Sequence, residues 1–255
     1  MKIVVLVKQV PDTAEERKLE LATGQLDREA GDNVIDEINE RALESALRIK
    51  DANKGTEVVA MTMGPDDAAQ ALRKALSMGA DSGVHILDDS LNGADTHRTA
   101  ATLAAALRAT GFDVVLAGNE STDGRAGVVP AMVAEYLRLP LLGSLISADV
   151  TDDAVRGVRQ GEGGTLNVHA GLPAILTVTE RFPEARFPNF KGILTAKRKP
   201  VTTLSVAELD IPASRSRTVV VSTAERAPRA AGRKLIDDGS AASELAEFLV
   251  ANRLV

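Results

Sequence analysis

The residues best suited to chemistry lie in one turn, Gly118-Asn-Glu-Ser-Thr-Asp-Gly-Arg-Ala-Gly127, which follows an apolar strand and enters a helix. A turn rich in Gly, Ser and Thr offers backbone N–H groups to an anion, and the helix start adds its dipole. Ser121, Thr122, Gly124, Arg125 and Gly127 could cradle a phosphate, while Asp123 could cap the helix or fix the turn. The alternative is a capped helix start with nothing bound. If their strands neighbour this one, the strand ends Val7-Lys8-Gln9-Val10-Pro11 and Thr62-Met63-Gly64-Pro65 would line the same crevice and offer backbone contacts to an adenine. No Gly-x-x-x-x-Gly-Lys-Ser/Thr occurs, and no Gly-x-Gly-x-x-Gly follows a strand, so P-loop and dinucleotide-binding readings lose ground.

The other candidates carry less. Asp88-Asp89 and Asp152-Asp153 have no ligand set around them and read as solvated turns. His85 sits in a short apolar strand as a structural residue, and His97 and His169 lie in polar surroundings; the three give no metal-ligand spacing. With no cysteine there is no disulfide, thiolate-held iron–sulfur cluster or thiol nucleophile. Redox chemistry would have to come from a bound organic cofactor.

A second feature concerns contact rather than catalysis. Aromatic residues are only 2% of the chain, yet Phe182, Phe187 and Phe190 fall together, among Arg181, Arg186, Lys191, Lys197, Arg198 and Lys199. Pro183 and Pro188 each lack a backbone donor and push the preceding residue toward extended backbone, so the segment is expected to be a loop or broken helix. Two readings stay open. In one the loop is built to meet an acidic partner, since aromatic and Arg anchors are enriched at hot spots; in the other it folds its aromatics onto the core with its cations solvated.

The elements that must position these residues follow from periodicity. Residues 3–7 are continuously apolar, which suits a strand buried on both faces of a parallel sheet. Helical spacing runs from Asp36 to Lys50, a strand covers Glu57–Met63, and a helix from Ala68 to Met78 stops at Gly79. A short strand from Val84, helices near Thr96–Arg108 and Ala126–Leu137, and strands Phe112–Ala117 and Ala174–Thr179 complete the alternation. Strands alternating with helices predict an α/β fold with a parallel, Rossmann-like sheet and flanking helices. After Pro140 the sequence reads as short polar and Gly-rich pieces, and from Pro200 to Arg233 as an extended arm before an amphipathic helix, Ala241–Asn252. The expected division is a nucleotide-binding domain at 1–199, including the loop at 180–199, and a C-terminal arm and helix at 200–255. At 255 residues and a net charge of −6, a general nucleic-acid binder is disfavoured. No apolar run is long enough to span a bilayer and the start does not read as a signal peptide, so no membrane insertion and a cytoplasmic setting are expected.

Four segments resemble the β subunit of bacterial electron transfer flavoproteins. They are Val4-Val-Leu-Val-Lys-Gln-Val-Pro, the stretch from Ala75-Leu-Ser-Met-Gly-Ala-Asp to His85, Leu116-Ala-Gly-Asn-Glu-Ser-Thr-Asp-Gly, and Arg186-Phe-Pro-Asn-Phe-Lys-Gly-Ile-Leu-Thr-Ala-Lys-Arg-Lys-Pro. The last is the most specific, and the resemblance covers nearly the whole chain. It implies an adenine-nucleotide α-hydrolase-like domain that buries a structural AMP and has no catalysis of its own. It also implies a heterodimer whose α subunit holds the redox-active FAD, electrons arriving from acyl-CoA and related dehydrogenases of fatty acid oxidation and leaving through a quinone oxidoreductase. Carried over by position, the AMP contacts fall at Leu6, Asp36, Ala60, Met61, Thr62, Met63, Gly118, Asn119, Glu120, Ser121, Thr122, Asp123, Gly124, Arg125, Ala126, Gly127, Val128 and Val129. Partner contacts fall at Arg186, Phe187, Phe190, Lys191, Lys197, Arg198 and Lys199, with Phe190 at the position of an aliphatic anchor. Two departures stand out. Asp36 replaces the family's usual Asn and would suit a ribose better than a phosphate, and Gln160 stands where a carboxylate is common, so no role is assigned to it. Some relatives hold a second FAD in place of AMP. An ATP pyrophosphatase or nucleotidyl transferase is the competing class, but neither Ser-Gly-Gly-x-Asp-Ser nor His-x-Gly-His is present. A stress-type nucleotide-binding module is a third class, but those chains are shorter and lack a loop rich in Phe and Lys.

Overall fold

Ile3, Val4 and Val5 of strand β1 (Lys2–Leu6) are fully buried, because helices cover both faces of the sheet at its centre. The computed structural model describes residues 1–211, 216–232 and 234–255. After β1, the short strands β2 (Gln9–Pro11) and β3 (Asn33–Ile35) pair as an antiparallel ribbon closing a long polar loop. Helix α1 (Glu37–Ala52) starts at Asp36, whose carboxylate accepts from the Ile38 N–H at 3.0 Å. Its apolar stripe, including Ala42, Leu43, Ala46 and Leu47, packs with Ile3 and Val5.

Strand β4 (Glu57–Met63), helix α2 (Ala69–Met78), strand β5 (Ser82–Ile86), helix α3 (Thr96–Thr110), strand β6 (Val114–Gly118) and helix α4 (Val129–Leu137) continue the alternation. Gly79 ends α2 at a φ of 142°, a conformation that side chains rarely adopt, as its position after the periodic run predicts. Helix α4 starts three residues later than periodicity predicts, since Gly127 sits at a φ of 64° and holds the chain in a turn. Helices α1 and α2 cover one face of the sheet; α3 and α4 cover the other, where Leu103, Leu107 and Val133 pack on Val4 and Met61.

The region after Pro140 departs from expectation. It forms three long strands, β7 (Leu141–Val150), β8 (Ala154–Gly161) and β9 (Gly164–Gly171), which extend the sheet in antiparallel fashion. Strand β10 (Ala174–Val178) then returns between β6 and β7. Helix α5 (Phe190–Ala196) precedes strand β11 (Val201–Leu204), which pairs with the outer edge of β5. The nine strands run in the order β11-β5-β4-β1-β6-β10-β7-β8-β9, parallel as far as β7. The chain moves outward from β1 to β4 and β5, then returns through α3 to β6 on the other side of β1. That reversal opens a crevice at the carboxyl ends of β1 and β6.

The stretch after residue 199 therefore begins inside the sheet, and Leu209 is buried on the α3 side. Residues 212–215 and 233 of the expected arm lie outside the described residues. Beyond them, the Arg217 and Thr218 N–H groups donate to Asp95 at 2.6 and 3.0 Å, and the Thr223 hydroxyl donates to the Leu21 carbonyl at 2.6 Å. Helix α6 (Ala241–Ala251) has no buried residue, leaving Leu245, Phe248 and Val250 exposed. Among the described residues, no helix is long and apolar enough to cross a membrane.

Candidate functional site

A cavity of about 170 Å³ occupies the crevice. Leu6 reaches it from the end of β1, Val7 and Lys8 from just after that strand, Met61 and Met63 from β4, and Ala117 to Ser121 from β6 and the turn after it. Ala126 to Pro130 close it at the start of α4. The strand ends named from sequence thus meet at one place. Of the positions carried over by resemblance, Leu6, Met61, Met63, Gly118, Asn119, Glu120, Ser121, Ala126, Gly127, Val128 and Val129 line the cavity. Ala60 and Thr62 do not, because alternation along β4 turns them away from the side on which Met61 and Met63 lie. Asp36, Thr122, Asp123, Gly124 and Arg125 also lie outside the lining.

Those residues build the turn instead. Asp36 is fully buried. One of its carboxylate oxygens caps α1, and the other accepts from the Thr122 N–H at 2.7 Å and the Thr122 hydroxyl at 2.9 Å. Asp123 accepts from Lys8 Nζ at 2.7 Å, from Arg28 at 3.3 Å and from the Gly124 N–H at 2.6 Å. Burial acts to raise the Asp123 carboxyl, but the charge and hydrogen bond of Lys8, with those of Ser121 and Gly124, bring it down to about 2. Arg17 donates to the Thr122 carbonyl, to its hydroxyl at 3.0 Å and to the Pro11 carbonyl at 2.7 Å. Gly118 is required by close approach, since a Cβ there would lie 2.6 Å from Asn39 Nδ2 and 3.0 Å from Ile38.

Sequence reasoning missed Asn39, Thr99, Leu103, Ala117 and Pro130 in the cavity wall. It also missed Arg17 and Arg28 as fasteners. Asn39 had a weak signal, one helical turn after the cap at Asp36, and it accepts from the Lys8 N–H at 2.8 Å. The two arginines had none, because they meet the turn across a loop about a hundred residues away in sequence.

The crevice suits an adenine nucleotide on three observations. Leu6, Met61, Met63, Leu103 and Ala117 form an apolar wall on one side. The N–H groups of Ala126, Gly127 and Val128 find no acceptor among the described residues, and the buried Asn119 Oδ1 has no hydrogen-bond partner. Two acids behind the turn are held away from a phosphate, Asp123 paired with Lys8 and Arg28 and Asp36 turned into the α1 start, while Glu120 lines the cavity and makes no ion pair among the described residues. A wider groove of about 560 Å³ lies on β7–β9, lined by Asp149, Arg156 and His169 among others, but none of the buried unpartnered polar atoms falls there.

The Phe-rich segment splits. Phe182 is buried in the α1-side core, as in the folded-back reading, whereas Phe187 and Phe190 are 91% and 78% exposed. Ile193 and Leu194 of α5 are exposed beside them. Arg186 and Lys199 are engaged within the chain: Arg186 binds Glu44 at 2.7 Å and Asp51 at 2.8 Å, and Lys199 binds the carbonyls of Leu76 and Ala80 at 2.8 and 2.5 Å. The exposed side chains of Lys191, Lys197 and Arg198 make no ion pair among the described residues. Gln160, left without a role, accepts from Arg181.

This architecture, an α/β sheet with a nucleotide-type crevice at its reversal and a separate segment with exposed apolar side chains, agrees with the comparisons to known proteins. The family model of the electron transfer flavoprotein domain matches residues 23–209. The chain is 47% identical over 264 residues to the electron transfer flavoprotein subunit beta of Mycobacterium bovis, with 99% of each chain covered. It is 47% identical over 265 residues to that of Mycobacterium leprae, again with 99% of each covered. It is also 38% identical over 203 residues to the caffeyl-CoA reductase-Etf complex subunit CarD of Acetobacterium woodii, covering 79% of this chain and 77% of that one. The chain belongs to the electron transfer flavoprotein family, as a subunit of the beta type. Its role is in electron transfer, in association with a flavin and with an alpha subunit.

Proposed function

We propose that this chain is the non-catalytic half of a heterodimeric electron carrier: it holds a structural AMP, braces an FAD-bearing alpha subunit, and docks dehydrogenases. The carrying observation is the crevice at the carboxyl ends of β1 and β6, with an apolar wall and unpaired N–H groups at the α4 start. The apolar residues would hold the base. Asn119, Ser121 and the Ala126–Val128 backbone would hold the sugar and phosphate. A bound FAD supplies the redox step, and this chain's own groups bind, orient and present. The exposed apolar residues of α6 and of the arm, Val219 and Val221 among them, suit burial against the alpha subunit. Phe187 and Phe190, with Lys191, Lys197 and Arg198 around them, suit brief docking of acyl-CoA and related dehydrogenases, whose electrons pass on through a quinone oxidoreductase.

The deciding experiment is to purify the chain through a tag from its native background, then identify the co-purifying protein and the nucleotides released on denaturation. A flavin-bearing partner with one FAD and one AMP per heterodimer is expected. Two FAD would overturn the AMP assignment, and a solitary chain that turns over ATP would overturn the carrier reading.

A further inference from the structure

We propose that Glu44 and Lys199 are positioning residues that hold the segment 186–199 as a rigid frame, presenting Phe187 and Phe190 to the docking partner already ordered. This rests on the docking reading above. Glu44 is a carboxylate on α1 that is only 4% exposed. A charge in that position persists only if its bonds are well made. Glu44 accepts from the Arg186 N–H at 3.1 Å, from Arg186 Nε at 2.7 Å and Nη2 at 3.2 Å, and from Arg48 at 2.8 Å. The bond to the backbone matters most, because it fixes the main chain at the residue before Phe187.

The far end of the segment is fastened separately. Lys199 donates to the Leu76 carbonyl in the last turn of α2 and to the Ala80 carbonyl just beyond the helix. Between the two fasteners α5 lies so close to α2 that a Cβ on Gly192 would come 2.2 Å from the Ser77 carbonyl oxygen. Asn189 caps α5 by accepting from the Gly192 N–H at 2.7 Å. The fasteners at the two ends of the segment thus point inward, while its large apolar side chains remain outside. Side chains ordered before contact lose less freedom on docking, so the frame converts exposed area into affinity.

The test uses the purified heterodimer with an acyl-CoA dehydrogenase and its acyl-CoA as the probe, following flavin reduction against heterodimer concentration. Glu44→Gln should raise KM roughly tenfold, the scale of re-ordering two side chains on docking, with kcat and FAD content unchanged. In a Phe190→Ala background the same change should add less than about twofold, because the frame would have lost what it positions. Amide exchange of residues 187–196 in the free heterodimer should quicken in Glu44→Gln. If Glu44→Gln yields no heterodimer, Arg186→Lys keeps the charge, loses the fork and carries the same test. An unchanged KM, or an equal rise in both backgrounds, would overturn the positioning role and leave docking intact. A Phe190→Ala variant with unaltered KM would remove the docking reading itself, and the frame with it.

Discussion

The turn at 118–128 and the segment at 186–199 are both loops rich in charge beside a helix start, but they treat charge in opposite ways. In the turn, Asp36 and Asp123 are held by Thr122, Lys8 and Arg28, and Arg17 fastens the backbone from above. In the segment, the cations that are held, Arg186 by carboxylates and Lys199 by backbone carbonyls, lie at its ends, and Lys191, Lys197 and Arg198 make no ion pair among the described residues and stand beside exposed apolar side chains. A cavity closed by paired charges suits a ligand that stays for the life of the protein. A rim of free cations around an apolar tip suits partners that arrive and leave. The difference between a resident and a transient contact is therefore expressed in where the counter-ions sit, more than in which residues are present.

The most damaging way to break the first half of that comparison is Asp36→Ala. It removes the α1 cap and leaves the Thr122 N–H without an acceptor, together about 3 kcal/mol. A chain of this size should lose roughly 6–12 °C in melting temperature, measured by calorimetry on the heterodimer, and the AMP content should fall. A melt within 2 °C of the parent would show that the turn is held by other means. Phe190→Ala attacks the second half: docking should weaken by about 2 kcal/mol, seen as a KM increase with donor dehydrogenases, while melting and nucleotide content stay unchanged. If melting fell and KM did not, the side chain would belong to the fold and the contrast would collapse.

Much of the fold was readable because β1, β4 and β10 are buried on both faces and α1 and α2 carry one apolar stripe each. The strands β7, β8 and β9 were not, since many of their residues face solvent and their glycines read as turns, so that even the alternation of Leu166, Val168 and Ala170 with polar residues in β9 was passed over. The turn was legible from Gly, Ser and Thr alone, but its fastening was not. Nothing in the spacing of Arg17 or Arg28 links them to Thr122 and Asp123. Asp36 shows the limit of position-by-position transfer: Leu6 and Gly118, carried over with it, line the cavity, whereas its own carboxylate is used beneath the turn. Likewise Phe182, Phe187 and Phe190 are alike in composition, and only packing separates the core residue from the exposed pair.

The third prediction concerns pH. Asp123 has its carboxyl lowered to about 2 by Lys8 and its hydrogen bonds, against the burial that would raise it. A depressed carboxyl contributes stability that is fully present above the ordinary value near 4 and is lost as pH falls through the folded value. Asp123→Asn should therefore cost on the order of 1–2 kcal/mol at pH 7, and the gap between parent and variant should shrink as pH falls from about 4 to about 2. A gap that stays constant across that window would mean the ion pair with Lys8 contributes nothing.

The smallest effect tests the free cations, and it separates the two regions most finely. Lys191 is exposed, adjoins Phe190 and makes no ion pair among the described residues, so reversing it removes nothing from the fold. Its action on a partner is long-range attraction, which is screened over about 8 Å at physiological ionic strength. Lys191→Glu should then lower the second-order rate of flavin reduction by a donor dehydrogenase roughly three- to tenfold at low ionic strength, through slower encounter. At high salt the variant and parent should converge, because the Phe190 contact itself is untouched. Phe190→Ala should behave in the opposite manner, with a deficit that salt does not erase. If the Lys191→Glu deficit persisted undiminished in high salt, the lysine would be making a close, desolvated contact in the complex. The free rim would then be a second anchor, and the segment would resemble the nucleotide turn more than its charges suggest.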